Sequence, residues 1–392
     1  MMKILYVIHT AKMDGSTMSL LNLIANLKSY GVEAFVAGPK GDGFLKTKFL
    51  EMGVDYREVR IKWSFYPRLG FTFEGYWGLK SIKKLLGIPY RRIGSFIDIL
   101  RAVRAVNPDI IHTNTGVVRE GYWVARALKI PHVWHLREYQ DMERGIPVFP
   151  SKGIFERMLS NSYVITITDD LQRHFHLMDN PMAKTIYNGI YDADKFSYIW
   201  PKGKYFLCAS RIVPYKGHDM VIRAFSQFHK IKPDYKLVIL GYGNPKWESK
   251  LKMMAKELQC EEAIVWEGYK EDVYGYMMNA TGLIVSSIHE GFGRMTAEAC
   301  FAGCLVIGRN NSGTKEIIEK TGGFLFDTEE ELVNNMVTLT NLSENQYHQM
   351  VTKAQDCSRH LFSIQQNVEN THCFYEQILR EKKNGVRPKG QN

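Results

Sequence analysis

Residues 286–304 read SSIHEGFGRMTAEACFAGC, and the way this stretch folds decides the reading of the whole chain. Just before it, Gly282-Leu283-Ile284-Val285 is a short apolar run of the kind that forms a buried strand. Inside it, Gly291-Phe292-Gly293 is a turn, and residues 295–302, MTAEACFA, read as a helix. A strand, a glycine turn and a helix start leave the first backbone N–H groups of the helix without partners, at the positive end of its dipole. That is a seat for an anion, most simply a phosphate. Glu290 and Glu298 flank the seat with seven residues between them.

The same alternation extends to both sides. In the C-terminal half, apolar strand-like runs fall at 205–209, 236–240, 263–266, 305–308 and 323–326, with helical spacing between them, as at 220–231 and 246–257. In the N-terminal half the runs fall at 4–8, 32–37, 109–112, 131–135 and 163–168. A helix over 17–30 is marked by Met18, Leu21, Ile24, Ala25 and Leu27, and Asp169-Asp170 reads as a helix cap. Alternating strands and helices imply parallel, doubly wound sheets. A chain of 392 residues is too long for one core. Two α/β domains are therefore expected, 1–195 and 203–362, with a linker over 192–202. An amphipathic helix over 363–382 is expected to pack back on the first domain, and 383–392 reads as a polar tail.

The composition, 45% hydrophobic and 23% charged, fits a globular chain. The apolar run at the N-terminus is too short for a signal segment or a bilayer span, which predicts a cytoplasmic protein. The six cysteines show no CxxC spacing, and Cys300 and Cys304 fit core thiols better than a metal site. The net charge of +10 suggests an anionic partner: a nucleotide, lipid head groups or nucleic acid. Residues 62–104 are basic and aromatic, with Trp63, Phe65, Tyr66 and Trp77 followed by Lys80, Lys83, Lys84, Arg91, Arg92, Arg101 and Arg104. This span reads either as a surface for an anionic membrane or as a helical hairpin with solvated lysines.

Chemistry is concentrated where strands end. His112 and His135 close two strands of the first half, and Asp14-Gly15 lies in the loop after its first strand. In the second half, Arg211 and Lys216 follow the first strand, Gly241-Tyr242-Gly243 the second, and Glu290 to Glu298 the fourth. Two cations and a helix N-terminus make a diphosphate clamp. Carboxylates beside a diphosphate need neutral hydroxyls to face. A diphosphate flanked by hydroxyl-rich rings, a nucleotide sugar, meets both demands. The fingerprint G-x-G-x-x-G is absent after the first strand, which argues against a dinucleotide oxidoreductase.

In order, the E-x7-E pattern, the Ser210-Arg211…Lys216-Gly217 loop, the G-x-G turn and Tyr187-Asn188-Gly189-Ile190 resemble glycosyltransferase family 4. The resemblance covers nearly the whole chain. It implies a retaining enzyme of the GT-B fold, with two Rossmann-like domains facing a cleft, that moves a hexose-type sugar to a saccharide or lipid-linked saccharide. It implies that Glu290 grips the transferred sugar and Glu298 the ribose, while Arg211 and Lys216 hold the diphosphate. The amides of Gly293, Arg294 and Met295 would add hydrogen bonds, the main chain around Gly268 and Tyr269 would meet the base, and Gly15 and Gly241 would let backbone approach the donor. His135 matches the family's strand-end histidine near the reaction centre. Asp14, His112 and Asn114 are the acceptor-side candidates, although Asp14 also reads as a helix cap. No cofactor or metal is expected, and no nucleic acid. The first loop has Asp14 where the family often has a second glycine, and 62–104 matches no family motif.

Overall fold

The computed structural model describes residues 1–61, 63–64, 79–140 and 148–385, with the backbone alone for 79–91. The chain divides into two compact units: Met1–Gly189 together with Ile364–Asn392, and Ile190–Ser363. The expected linker is thus part of the second unit. Tyr191 packs edge-on against Tyr274 and Phe301 at 5.3 and 5.6 Å, and Phe196 stacks on Phe301 at 5.0 Å.

The first unit is a parallel sheet of β1 (Met2–Val7), β2 (Val32–Pro39), β3 (Asp55–Val59), β4 (Ile110–Thr113), β5 (His132–Leu136), β6 (Tyr163–Thr166) and β7 (Ala183–Thr185), ordered β3-β2-β1-β4-β5-β6-β7. Strands β3 and β7, at the two edges, carry no sequence signal. An edge strand buries only part of its side chains, so β3 and β7 lack the unbroken apolar run of a central strand. Along β1, Ile4 and Tyr6 face one core while Leu5 and Val7 face the other, so both faces of the sheet are covered. The C-terminal helix, Ile364–Lys383, lays Val368, Phe374, Tyr375 and Ile378 on the Ile4/Tyr6 face. It packs back on the first domain as expected, and its last turn takes in Lys383.

The second unit is a parallel sheet of β8 (Gly203–Ala209), β9 (Lys236–Leu240), β10 (Ile264–Gly268), β11 (Ala280–Val285), β12 (Val306–Arg309) and β13 (Phe324–Phe326), ordered β10-β9-β8-β11-β12-β13. Phe206 and Cys208 of β8 belong to one core, Leu207 and Ala209 to the other. Both sheets reverse their strand order once, at β1/β4 and at β8/β11. The carboxyl ends of strands at such a switch point open a crevice that connecting chain cannot fill.

One expectation needs correction. Thr168, not Asp169 or Asp170, caps its helix: its side chain accepts from Leu171 N, and the two aspartates sit in the first turn. Residues 79–106 form one helix, Leu79–Val106. The aromatic residues from Phe65 to Trp77 lie outside the described residues, and with them the other arm of the supposed hairpin. Arg92 stacks on Phe149 at 4.7 Å, donates to Ser64 Oγ at 2.7 Å and lies 3.4 Å from the buried Glu120 carboxylate. Among the described residues no helix is long and apolar enough to cross a membrane.

Four histidines are sealed inside: His112, His132, His135 and His218. Burial lowers the pKa of each, to about 3 for His132 and about 4 for His218, and well below 6.5 for the other two, beside Arg137. As the pH falls below about 6.5 the unfolded chain binds protons at these positions that the folded chain refuses. Stability is therefore complete above that pH and is lost on acidification, by about 1.4 kcal/mol per pH unit for each histidine. Urea midpoints should be clearly lower at pH 5.5 than at pH 7.5, a window above the carboxylate range. Equal midpoints would mean that the histidines take up protons while folded.

Candidate active site

The loop after β8 and the loop after β11 meet at the switch point of the second sheet. Beyond β8 the chain runs through Ser210 and Arg211 to a short turn, Pro214–Lys216, ended by Gly217 at φ +71°. A Cβ on Gly217 would overlap the carbonyl of Ser286, so only glycine lets this loop press against the end of β11. Ser286 Oγ donates to Lys216 O at 2.7 Å and fastens the two loops together. Lys216 Nζ then forms a short ion pair with the carboxylate of Glu290, both side chains being mostly buried. Arg211 Nη2 donates to the Tyr215 hydroxyl at 2.8 Å.

The Gly291-Phe292-Gly293 turn leads into the helix Arg294–Phe301. Its cap is Gly293 at φ +87°, with no side chain to satisfy the first-turn amides. A Cβ there would crowd Thr296 and Thr314. Arg211, Lys216, Glu290, Gly293, Arg294 and Met295 line one pocket. The structure thus brings together the cations, the first glutamate and the open helix end that the sequence singled out.

Glu298 sits one turn further on, outside that lining, and is 7% exposed. Burial raises its pKa; the Arg294 guanidinium, with Nε 2.6 Å from the carboxylate, works against the rise. Gly241 and Gly268 end the neighbouring strands, where Gly241 N donates to Gly268 O at 2.8 Å. The rings of Tyr242 and Tyr269 meet edge to face at 5.6 Å and are largely exposed. In the sequence Tyr242 carries no signal beyond its place in the middle of the G-x-G turn.

In the first unit Asp14 caps the helix Gly15–Leu27 in a capping box: Oδ1 accepts from Ser16 N at 3.0 Å and Thr17 N at 2.9 Å, and Thr17 Oγ1 accepts from Asp14 N. Burial works to raise the Asp14 pKa, but these hydrogen bonds and the nearby His9 hold it below the usual range. The other carboxylate oxygen is 3.8 Å from His9 Nε2. Gly15 has open space around it.

His112 and Asn114 are not acceptor contacts in this structure, because both are fully buried and engaged. His112 Nδ1 is 2.7 Å from the Tyr375 hydroxyl and its Nε2 is 3.1 Å from His135 Nδ1. Asn114 Oδ1 accepts from Arg137 Nε at 2.9 Å, and its amide reaches Ser16 O at 3.4 Å. A polar residue at a strand's carboxyl end serves the inside of the domain as readily as a ligand, and sequence does not separate the two. His135 is also fully buried, with Nε2 lacking a hydrogen-bond partner. The sequence reading passed over Arg137, whose one signal is its place two residues after His135, and Tyr375, which nothing but the return of the C-terminal helix brings near.

The family described as glycosyl transferases group 1 matches residues 191–356. The N-acetylgalactosamine-N,N'-diacetylbacillosaminyl-diphospho-undecaprenol 4-alpha-N-acetylgalactosaminyltransferase of Campylobacter jejuni is 33% identical over 132 residues, 33% of this chain and 35% of that protein. The GDP-mannose-dependent alpha-(1-6)-phosphatidylinositol monomannoside mannosyltransferase of Mycolicibacterium smegmatis is 30% identical over 144 residues, 33% of this chain and 37% of that one. The chain thus spans little more than a third of the length of these two relatives. Over almost its full length it superposes on HepE of Anabaena, solved in complex with UDP, with a TM-score of 0.76 at 20% identity, covering 96% of this chain and 100% of that one. HepE has also been solved with UDP-glucose. The chain therefore has the GT-B fold, and residues 191–356 within its second unit are similar to the glycosyl transferases group 1 family.

Proposed function

We propose that the chain is a retaining glycosyltransferase that moves a hexose-type sugar from a nucleotide-diphosphate sugar to a saccharide or lipid-linked saccharide acceptor. The observation that carries this reading is the pocket at the β8/β11 switch point, where Arg211, the Lys216–Glu290 pair and an uncapped helix end converge. A diphosphate entering there meets two cations and the amides of Gly293, Arg294 and Met295. Glu290, released from Lys216 as the phosphate takes the ammonium, is left facing sugar hydroxyls. The two Tyr rings beyond Gly241 and Gly268 offer apolar surface for a base. The acceptor class is supported by the C. jejuni and M. smegmatis relatives, whose names place their acceptors on lipid.

Arg211 and Lys216 would stabilise charge on the departing diphosphate oxygen, which would take the acceptor's proton in a front-face displacement. Charge stabilisation of this kind is usually the largest single contribution to such a step. The fixed cations make a metal dispensable in this scheme. Glu298, buried and paired with Arg294, reaches the ribose by exchanging that partner for ligand hydroxyls.

Lys216→Ala should lower sugar transfer by about 10²–10³-fold in a purified assay, the scale of losing one such stabilising group. Glu290→Gln should lower it while leaving UDP binding by calorimetry within a fewfold. Transfer at the wild-type rate in either variant would remove the pocket from the chemistry, and an inverted anomeric product by NMR would remove retention.

Arg294→Met leaves Glu298 buried without its cation, so denaturant unfolding should show a loss of about 1–3 kcal/mol. Changing both residues to Met should restore most of it. A double variant as unstable as the single would mean that the ion pair is not what holds this turn.

A further inference from the structure

The first unit contains a buried polar chain that the proposed chemistry does not explain. It runs from Tyr6 on β1 to Tyr375 on the C-terminal helix (hydroxyls 3.3 Å apart), to His112 on β4 (2.7 Å), and to His135 on β5 (3.1 Å). Arg137 closes it: its Nη2 lies 3.3 Å from His135 Nδ1, and its other nitrogens are held by Asn114 Oδ1 at 2.9 Å and Asn188 Oδ1 at 2.6 Å. The two links made by His112, taken alone, permit either direction of donation.

Arg137 removes the freedom. A guanidinium has donors only and keeps its proton, so His135 Nδ1 must accept. The proton of the neutral ring then lies on Nε2. His112 Nε2, facing the same Nδ1, must donate; its own Nδ1 is then bare and can only accept, from the Tyr375 hydroxyl, which also has the Tyr6 oxygen within reach at 3.3 Å. One fixed cation orients three side chains from two strands and a helix. At the end of the chain stands His135 Nε2–H, buried and without a partner. An unpaired buried donor costs about 1–3 kcal/mol, so this one calls for an explanation, and pairing with a ligand would supply it.

We propose that Arg137 is a positioning residue that fixes His135 as the Nε2–H tautomer, so that His135 meets the ligand as a hydrogen-bond donor and not as a base. The tautomer stands on this geometry alone; its consequence for catalysis rests on the transferase reading. Tyr375 follows the orientation and does not set it.

The test is a long-range proton–nitrogen correlation spectrum of the full chain with 15N-histidine, His135 being assigned from the spectrum of His135→Asn. Wild type should show a protonated Nε2 and a bare Nδ1 at His135. Arg137→Lys, which keeps a donor-only cation, should preserve that pattern, whereas Arg137→Leu should populate the Nδ1–H form. Tyr375→Phe should shift His112 and leave the His135 tautomer in place. In sugar transfer, Arg137→Leu should lower kcat by about tenfold or more with the nucleotide-sugar KM moved less than about twofold, and Arg137→Lys should recover most of it. A proton on Nδ1 of His135 in wild type overturns the proposal, as does a folded Arg137→Leu protein with the wild-type tautomer. If Arg137→Leu does not fold, the wild-type and Tyr375→Phe spectra still decide, because loss of the Nε2–H tautomer in Tyr375→Phe would assign its control to the helix. The stated tautomer in a protein without transferase activity would count against the proposed function and not against this assignment.

Discussion

The second unit depends on β8 and β11 lying side by side and parallel although more than seventy residues separate them. Their adjacency at the point where the strand order reverses leaves two loops with nowhere to go but toward each other. Gly217 is the hinge of that constraint: with any side chain the loop after β8 would strike the Ser286 carbonyl. Pressed together, the loops deliver Lys216 from one strand and Glu290 from the other to a common point. Neither loop has a site on its own. The site is a property of the sheet order, and the sheet order follows from burying apolar strands on both faces with right-handed crossovers.

Each of the two glutamates is matched by a cation, Glu290 by Lys216 and Glu298 by Arg294. An unpaired carboxylate in either place would be costly, because the surroundings are largely buried. The pairs stabilise both carboxylates, and in the proposed reaction the ligand would take them over by exchange. A phosphate that draws Lys216 away must leave Glu290 with something to accept from, and sugar hydroxyls are neutral donors that do not repel the phosphate. The demand for a ligand that is both anionic and rich in hydroxyls therefore comes from charge balance within the pocket as much as from the residues taken singly.

How far the sequence could be read follows the same physics. Central strands such as β1, β8 and β11 announce themselves because both faces are covered and nearly every side chain is apolar; β3 and β7 do not, because polar residues interrupt them, Asp55, Arg57 and Glu58 in one and Lys184 and Thr185 in the other. Arg211, Lys216, Glu290 and the Gly293 turn were legible because each follows a strand's carboxyl end, and the fold brings such ends together without further information. His112 and Asn114 occupy the same kind of position, yet they turn inward. The difference lies in partners remote in sequence, Tyr375 from the last helix and Arg137 from the next strand end, and no local pattern reports them. Tyr375 is 263 residues from His112.

That remoteness is informative about why the C-terminal helix returns to the first unit. Packing alone would be served by Val368, Phe374 and Ile378, which cover the Ile4/Tyr6 face with apolar surface. A tyrosine among them brings a hydroxyl into a dry interior, and such a group needs a partner to be tolerated. His112 supplies that partner in one fixed sense, accepting at Nδ1, because its other nitrogen is obliged to donate toward His135. The obligation starts at Arg137, the one group in the chain with no acceptor to offer. Without it the buried hydroxyls and rings would have two self-consistent arrangements of nearly equal energy, and the interior would hold a mixture. A permanent cation at one end leaves a single arrangement, so the polarity of the network is settled by the one member whose chemistry allows no choice.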